Sequence, residues 1–404
     1  MTNNFSNLSY SITKQLAKDV KKKEGIFFTP ISTIKKNLKF LEPYFKNINN
    51  VLEPSCGSCE YILKLNDLYS RLSITGIEYN KNIYESIKHL ETDNIKLLNI
   101  NYLNFDENIT YDLILGNPPY FVVPKDTVEK DYYKYFDGRP NIFILFIIKS
   151  LKLLNKNGIL SFILPKNFLN SHYYDKTRKY IYNNFKILNI IYCDDDYIET
   201  KQETIIMIIQ NKNETINNDK YTLNISDYII FGNSIYIEKI KKLYENSTTL
   251  NKLNFKVNVG NIVWNQHKQI LTNDNSKTLL IYNSDIKSNQ LHIQTYKNQE
   301  KKNYINKQGF KEPLLVVNRG YGKGSYKFEY LLIDGTYEYL IENHLICIKY
   351  TKPVEKSKLI VMYNNIIKSL QNEKTIEFIK LYFGNNAINT TELCEILPIY
   401  NMEN

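Results

Sequence analysis

Cysteine is scarce and scattered in this chain. Cys56, Cys59, Cys193, Cys347 and Cys394 are an odd five in 404 residues, which is no disulfide framework and fits a reducing compartment. Cys56 and Cys59 form one C-x-x-C, but a zinc ribbon needs a second pair at suitable spacing and none exists, so no metal is expected. Long apolar runs are missing too: the longest, Ile142 to Ile148, falls far short of the ~20 residues that span a bilayer. The first residues, MTNNFSNLSYSITKQ, lack the basic and apolar regions of a secretory signal. These absences lead to the expectation of a soluble, cytoplasmic, monomeric protein with no membrane partner. A G-x-G-x-x-G fingerprint is absent as well, so any nucleotide-type site must rest on other residues.

What is present suggests two domains. The chain is 43% hydrophobic, enough for two cores at this length. Its net charge of +10 favours an anionic partner without naming it. The surplus is uneven: residues 1–245 hold 32 basic and 28 acidic side chains, whereas residues 251–330 hold 13 and 5. The polar stretch NKNETINNDK, residues 211–220, reads as an exit from the first domain. The expected division is residues 1–220, a joining region 221–250, and residues 251–404.

The most informative stretch is YDLILGNPPYFV, residues 111–122, where a buried strand runs directly into Asn117-Pro118-Pro119-Tyr120. Asn117 precedes a proline and is pushed out of the helical region, and two prolines have fixed φ and no N–H. The loop is therefore stiff and mostly accepts hydrogen bonds. The amide oxygen of Asn117 and the carbonyl of Pro118 can take both hydrogens of an exocyclic amine, with Tyr120 flat against the attached ring.

Upstream, residues 8–23 read as one amphipathic helix, and Phe27-Phe28-Thr29-Pro30 precedes a helix reaching about Phe45, with Thr29 as its cap. Residues 50–60, NVLEPSCGSCE, read as strand, small-residue turn and helix start, a turn that lets backbone amides approach a ligand. A second strand ends in Glu78, where doubly wound sheets grip a ribose diol. Strands at 95–100, 113–115, 159–164, 187–193 and 204–209 alternate with helices, so a doubly wound, mixed but mostly parallel α/β sheet is expected. Beyond residue 250, short strands with glycine turns and a closing helical region, 353–381, predict a mixed α+β domain. Its exposed turns Trp264-Asn265-Gln266-His267-Lys268 and Arg319-Gly320-Tyr321-Gly322-Lys323 combine amides, cations and aromatics, the means of contacting phosphates and base edges.

In order and content these motifs resemble the gamma-type, TaqI-like DNA methyltransferases acting on adenine N6, most of which belong to type II restriction-modification systems. The resemblance runs from about Lys23 to Gln210 and is looser from 250 to 395. It implies a Rossmann-like methyltransferase fold, followed by a target-recognition domain that binds double-stranded DNA through Trp264, Asn265, Gln266, His267, Lys268, Arg319, Tyr321 and Lys323. It implies an S-adenosyl-L-methionine pocket opened by Phe27, Phe28 and Thr29 and lined by Glu53, Pro54, Ser55, Cys56 and Gly57. Glu78 would hold the ribose, and Asn101 and Tyr102 would lie beside the adenine of the cofactor. Asn117, Pro118 and Tyr120 would be catalytic, and Tyr197 would be a second aromatic against a flipped base. A companion restriction endonuclease is a partner the resemblance allows. Two departures stand out: the family usually has glycine where Cys59 stands, and commonly Asp where Asn101 stands. Methylation of adenine in RNA or of glutamine in protein, and a catalytically degenerate DNA-binding module, remain the alternatives.

Overall fold

The computed structural model describes residues 4–105, 108–195, 197, 198, 200, 202–212, 216–319, 328–383 and 388–400. The chain divides into two compact units, Met1–Ile237 and Glu238–Asn404. Unit 1 opens with helices α1 (Asn7–Gln15), α2 (Lys18–Glu24) and α3 (Ile31–Leu41). Strands and helices then alternate: β1 (Asn50–Glu53), α4 (Glu60–Leu68), β2 (Ser73–Ile77), α5 (Lys81–Ile87), β3 (Ile95–Leu98) and β4 (Tyr111–Gly116). They continue with α6 (Ile142–Lys152), β5 (Leu154–Pro165), α7 (Asp175–Asn184), β6 (Lys186–Cys193) and β7 (Thr204–Gln210).

These seven strands form one sheet in the order β3-β2-β1-β4-β5-β7-β6. All neighbours from β3 to β5 pair in parallel, and β7 runs antiparallel between β5 and β6. This is the doubly wound, mostly parallel fold expected from the sequence. A sheet covered on both faces needs strands that are apolar throughout, and alternate side chains then feed two cores. Leu52, Ile114, Ile205 and Met207 pack on one side with Phe143 and Ile147 of α6. Val51, Leu113, Leu115, Ile206 and Ile208 pack on the other with Ile62 and Leu65 of α4. Helix α6 is buried from Phe143 to Leu151, which explains its hydrophobicity on all sides.

Two local readings are corrected. The helix expected over residues 8–23 is two helices, because Leu16 turns extended and drops into a cluster with Phe5, Ile12, Phe28 and Ile83. Thr29 does not cap α3: Pro30 occupies the cap position, and Asn4 reaches the first turn through its carbonyl to Ile31 N (2.8 Å) and its side chain to Ser32 N (2.9 Å).

A hairpin, β8 (Thr222–Ile225) and β9 (Tyr228–Phe231), closes unit 1, and helix α8 (Ser234–Tyr244) contains the point of division. Unit 2 carries β10 (Phe255–Val259), β11 (Leu271–Thr272), β12 (Thr278–Ile281), β13 (Ile286–Lys287), β14 (Gln290–Leu291) and β15 (Tyr304–Ile305). These are followed by β16 (Leu314–Asn318), β17 (Tyr330–Ile333), β18 (Tyr339–Ile341) and β19 (Leu345–Tyr350). Two four-stranded sheets result, β10-β19-β16-β17 and β11-β15-β12-β18. The closing helical region is α9 (Lys356–Leu370), α10 (Glu373–Tyr382) and α11 (Thr390–Glu395), with Asn372 capping α10. The mixed α+β expectation therefore holds for this unit.

One buried cation fastens the hairpin to the sheet domain. Arg178 of α7, 0% exposed, donates to the carbonyls of Ile229 (2.5 Å), Phe168 (2.9 Å) and Ser171 (2.7 Å). Its Nη2 lies 3.6 Å from Asp175, whose Oδ1 also accepts from Ile229 N at 3.0 Å. Without Arg178 the three carbonyls lose a buried donor while Asp175 keeps Lys179 at 2.7 Å, and leaving a buried polar group unsatisfied costs about 1–3 kcal/mol. Arg178→Met is therefore expected to lower unfolding stability by about that amount, read as a fall in the chemical-denaturation midpoint; an unchanged midpoint contradicts this role.

Candidate active site

The site begins with a turn only small residues can make. After β1, the chain passes through Pro54-Ser55-Cys56-Gly57, and Gly57 adopts the left-handed region (φ 51°) with Phe28 3.4 Å from where a Cβ would stand. Its N–H donates to Glu78 Oε2 at 3.0 Å, while Glu78 Oε1 accepts from Asn80 N at 2.7 Å. Cys56 N donates to the Ile77 carbonyl at 2.9 Å, so the turn is sewn to the end of β2. Cys59, where a glycine is usual in the resembling family, is also left-handed (φ 61°) and caps α4 without a side-chain bond. That backbone costs a non-glycine residue roughly 1–2 kcal/mol. Its thiol is fully buried in the core and stays away from the cavity described below.

Strand β4 delivers the second half. Gly116 has φ 144°, and a Cβ there would meet Glu53 Cγ at 3.3 Å, so glycine lets β4 end directly against the Glu53 side chain. Asn117 follows with its amide held at both ends: Nδ2 donates to the Phe27 carbonyl (3.3 Å) and Oδ1 accepts from the Tyr120 hydroxyl (2.6 Å). The same hydroxyl lies 2.8 Å from the Ile163 carbonyl, and the Tyr120 ring stands edge-on to Phe143. Ser55 Oγ donates to the Asn117 carbonyl at 3.1 Å, tying the two loops together.

A third element closes over them. Gly25 (φ 66°) ends α2, and a Cβ there would meet Tyr120 N at 2.9 Å and the side chains of Pro119 and Phe121 at 3.1 Å. Only glycine lets Ile26-Phe27-Phe28 lie this close to the Asn-Pro-Pro-Tyr loop. Helix α1 supports the turn from outside, through Ser9 Oγ to Ser58 Oγ and Glu60 Oε1, both at 2.8 Å.

These elements enclose a cavity of ≈ 250 Å³. Of the residues picked out in the sequence, Phe27, Phe28, Pro54, Ser55, Gly57, Glu78, Asn101, Tyr102 and Asn117 line it. Thr29, Glu53, Cys56, Pro118 and Tyr120 do not: the first four are buried and Tyr120 is half-buried. Asn101 spends one lone pair on Leu103 N (3.0 Å), and Tyr102 is largely a core residue, its hydroxyl 2.8 Å from Ser150. Sequence reading missed Glu24, Gly25, Asn80 and Phe146 as lining residues. The signal for Asn80 was available: it is an Asn at the start of α5, capping Asn82 N and Ile83 N while its amide holds Glu24 at 2.8 Å.

The cavity is acidic, and its acids are suppressed. Burial holds Glu53, just outside the lining, well above the ordinary carboxylate range, helped by neighbouring Cys59, Glu60 and Glu78, and among the described residues its buried Oε2 has no hydrogen-bond partner. Burial likewise raises Glu78 to about 7 against the opposing N–H donors of Asn80 and Gly57. Carboxyls held neutral by burial gain most from a cation placed beside them.

Tyr197 is buried, its hydroxyl 3.4 Å from Thr204 Oγ1, and it borders a small void together with Phe27 and Phe28. The loop carrying it is clipped to α3 by Asp195, which accepts from Ser32 Oγ (2.7 Å) and Thr33 Oγ1 (2.6 Å). Nothing in the sequence pattern pointed to that clip.

In unit 2, Trp264-Asn265-Gln266 form one helical turn, and His267 Nδ1 bonds the Val263 carbonyl at 3.0 Å. Lys268 lies 5.9 Å from the Trp264 ring and is paired with Glu300 at 2.6 Å. Arg319 follows β16, its carbonyl accepting from Ile388 N at 3.2 Å. Tyr321 and Lys323 lie outside the described residues.

Residues 57–198 match the family of Eco57I restriction-modification methylases. The chain is 28% identical to the modification methylase CviBIII of Paramecium bursaria Chlorella virus NC1A, covering 98% of this chain and 99% of that one. It is 26% identical to the type II methyltransferase M.CvrRI of Paramecium bursaria Chlorella virus XZ-6E, again over 98% and 99%. The type II methyltransferase M.AccI of Acinetobacter calcoaceticus is 27% identical over 61% of this chain and 45% of its own length. Among solved structures, the fold is similar to that of a DrdV–DNA complex, at a TM-score of 0.55 and 12% identity over 98% of this chain and 57% of that one. Along nearly its whole length the chain is thus similar to a viral modification methylase and a viral type II methyltransferase, and over residues 57–198 to the restriction-modification methylases.

Proposed function

We propose that this protein is a DNA methyltransferase of the restriction-modification kind that uses S-adenosyl-L-methionine to methylate N6 of an adenine flipped out of the double helix. One observation carries the reading: the Asn117 amide is fixed at the end of β4, at the wall of an acidic cavity. The cofactor, when bound, supplies an electrophilic methyl group on a cationic sulfonium. The residues present fit such a group, because Glu78, a lining carboxyl whose pKa burial raises to about 7, gains from an adjacent cation. Glu78 would hold the ribose diol, the Pro54–Gly57 turn the methionine portion, and Phe27 and Phe28 the covering wall.

Asn117 acts on the target amine by accepting its hydrogens. An amide oxygen has two lone pairs, and the Tyr120 hydroxyl occupies one, leaving one for an N–H; the Pro118 carbonyl takes the other hydrogen. Because Nδ2 is committed to the Phe27 carbonyl, the amide is set with its oxygen available. Flipping a base costs a few kcal/mol, and stacking on Tyr120 and Tyr197 returns ~1–3 kcal/mol for each ring. Fixed geometry supplies much of the remaining acceleration. The basic surplus of residues 251–330 and the likeness in fold to a protein solved with DNA support a duplex substrate.

Expression in a methylation-deficient bacterium, followed by single-molecule sequencing of its genome, should reveal N6-methyladenine confined to one short motif. Modification of cytosine, or of nothing, contradicts the proposal. Asn117→Ala should fold and bind cofactor yet lose about 10²–10³ in turnover, the usual effect of deleting one transition-state hydrogen bond; wild-type turnover in that variant refutes the mechanism.

Cofactor affinity should depend on pH through Glu78. Its folded pKa, about 7, lies above the ordinary value of 4.5, so below 7 binding a cation must expel a proton. Affinity is expected to rise between pH 6 and 8 and then level off, and Glu78→Gln should bind more weakly with a flat profile; equilibrium dialysis of labelled cofactor reads both. The sign for stability is opposite: between 4.5 and 7 the native state holds more protons than the unfolded one, so the free protein loses stability as pH rises through that window.

A further inference from the structure

A second concavity, wholly within unit 2, takes no part in the site above. It is an open cleft of ≈ 810 Å³ where β12 and β18 begin and β15 ends. Three stretches converge on it: residues 275–278, 304–308 with Lys311, and 337–338. The segment after β15 is pinned there. Phe310 and Tyr339 exchange both backbone bonds (2.9 and 3.0 Å), and a Cβ on Gly309 would meet Thr278 Cγ2 at 2.5 Å and the Tyr339 carbonyl at 2.9 Å. Lys307 and Lys311 therefore flank a fixed anchor.

The lining is mostly cationic. Lys277, Lys307 and Lys311 share it with one acid, Glu338, whose Oε2 lies 3.4 Å from Thr278 Oγ1, and Lys277 also lies in the field of Asp274 just outside it. Among the described residues, neither Lys307 nor Lys311 enters an ion pair, and the amides of Asn306 and Gln308 make no side-chain hydrogen bond. Lys268, by contrast, must first leave Glu300 to meet a phosphate.

We infer that this cleft grips the sugar-phosphate backbone of duplex DNA, the three lysines neutralising phosphates and the amides contacting phosphate or sugar oxygens. The inference rests on the reading of the protein as a DNA methyltransferase and adds a backbone site made of residues other than the turns picked out by sequence. Phosphate contacts fix register and orientation without reading bases, and each neutralised phosphate releases counterions, so its loss is visible in salt dependence.

The test titrates the full chain, saturated with cofactor, against duplex DNA from 50 to 200 mM salt. For K277Q/K307Q/K311Q, the slope of log affinity against log salt should become shallower by about 0.9 for each phosphate left without its lysine, up to about 3 in all. Cofactor affinity should stay at the wild-type value, which also verifies folding of unit 1, and retained thermal unfolding verifies unit 2. A control, K88Q/K96Q/K156Q, removes the same charge near the amino ends of β3 and β5 and should leave the slope nearly unchanged. Wild-type slope in the cleft variant, or an equal change in the control, overturns the inference while leaving the enzyme reading intact. Failure of the wild-type protein to bind duplex DNA overturns both.

Discussion

The parallel pairing of β1 with β4 is the constraint on which the rest of unit 1 depends. Val51 lies beside Leu113 and Leu52 beside Ile114, so both strands release their chains at the same edge of the sheet. That edge is also where strand order reverses, since β1 is followed on one side by β2 and on the other by β4. Chains leaving a switch point diverge and open a crevice between them. The turn after Glu53 and the loop after Gly116 are therefore neighbours by topology, and the Ser55 bond to the Asn117 carbonyl is a consequence of it. A slip of one residue in this pairing would turn Leu113 and Leu115 toward the face now packed by α6 and separate Asn117 from Glu53.

The crevice is built against local preference. Two carboxyls are buried with raised pKa values, one non-glycine residue is left-handed, and Gly25 and Gly116 are positions where a side chain would collide. Such features cluster where structure serves a ligand, because the surrounding packing holds them in place. Here the holding is done by the strands beneath, whose central residues are completely buried, and by α1 outside, whose Ser9 reaches two residues of the turn. A cation placed beside Glu78 would favour its charged form, so occupancy of the cavity and stability would be linked through that acid.

Much of unit 1 was legible because its signals are local. A strand between two helical layers must be apolar throughout, and Leu113-Ile114-Leu115 ending at Asn117-Pro118 says both that a strand is buried and where it stops. The turn at Gly57 and the acid at Glu78 are separated by one helix, and their meeting follows from the alternation of strand and helix. What was not legible depends on long-range contacts. The backbone N–H groups at the start of α3 are met by Asn4, far away in the chain, so Thr29 looked like a cap only because it is a threonine before a proline. The division of residues 8–23 has no breaker residue to announce it and follows from where Leu16 packs. Glu24 and Gly25 gave no motif, because their importance arises from the approach of one loop to another.

Unit 2 shows the limit of reading charge from composition. The surplus of lysine between residues 251 and 330 is a property of the stretch, but its consequence depends on which lysines are already engaged. Lys268 is paired with Glu300, and Lys301 lies 4.1 and 4.0 Å from the rings of Tyr282 and Tyr296, with burial lowering its pKa. These cations are committed within the unit, to an ion pair and to aromatic faces. Lys307 and Lys311, on either side of a glycine that fits only against β12 and β18, are not. An anion entering the cleft thus meets Lys307 and Lys311 without displacing an existing ion pair, whereas at Lys268 the bond to Glu300 must first be given up. The sequence places the charge in the right third of the chain, and the pairing of strands decides which part of it faces outward.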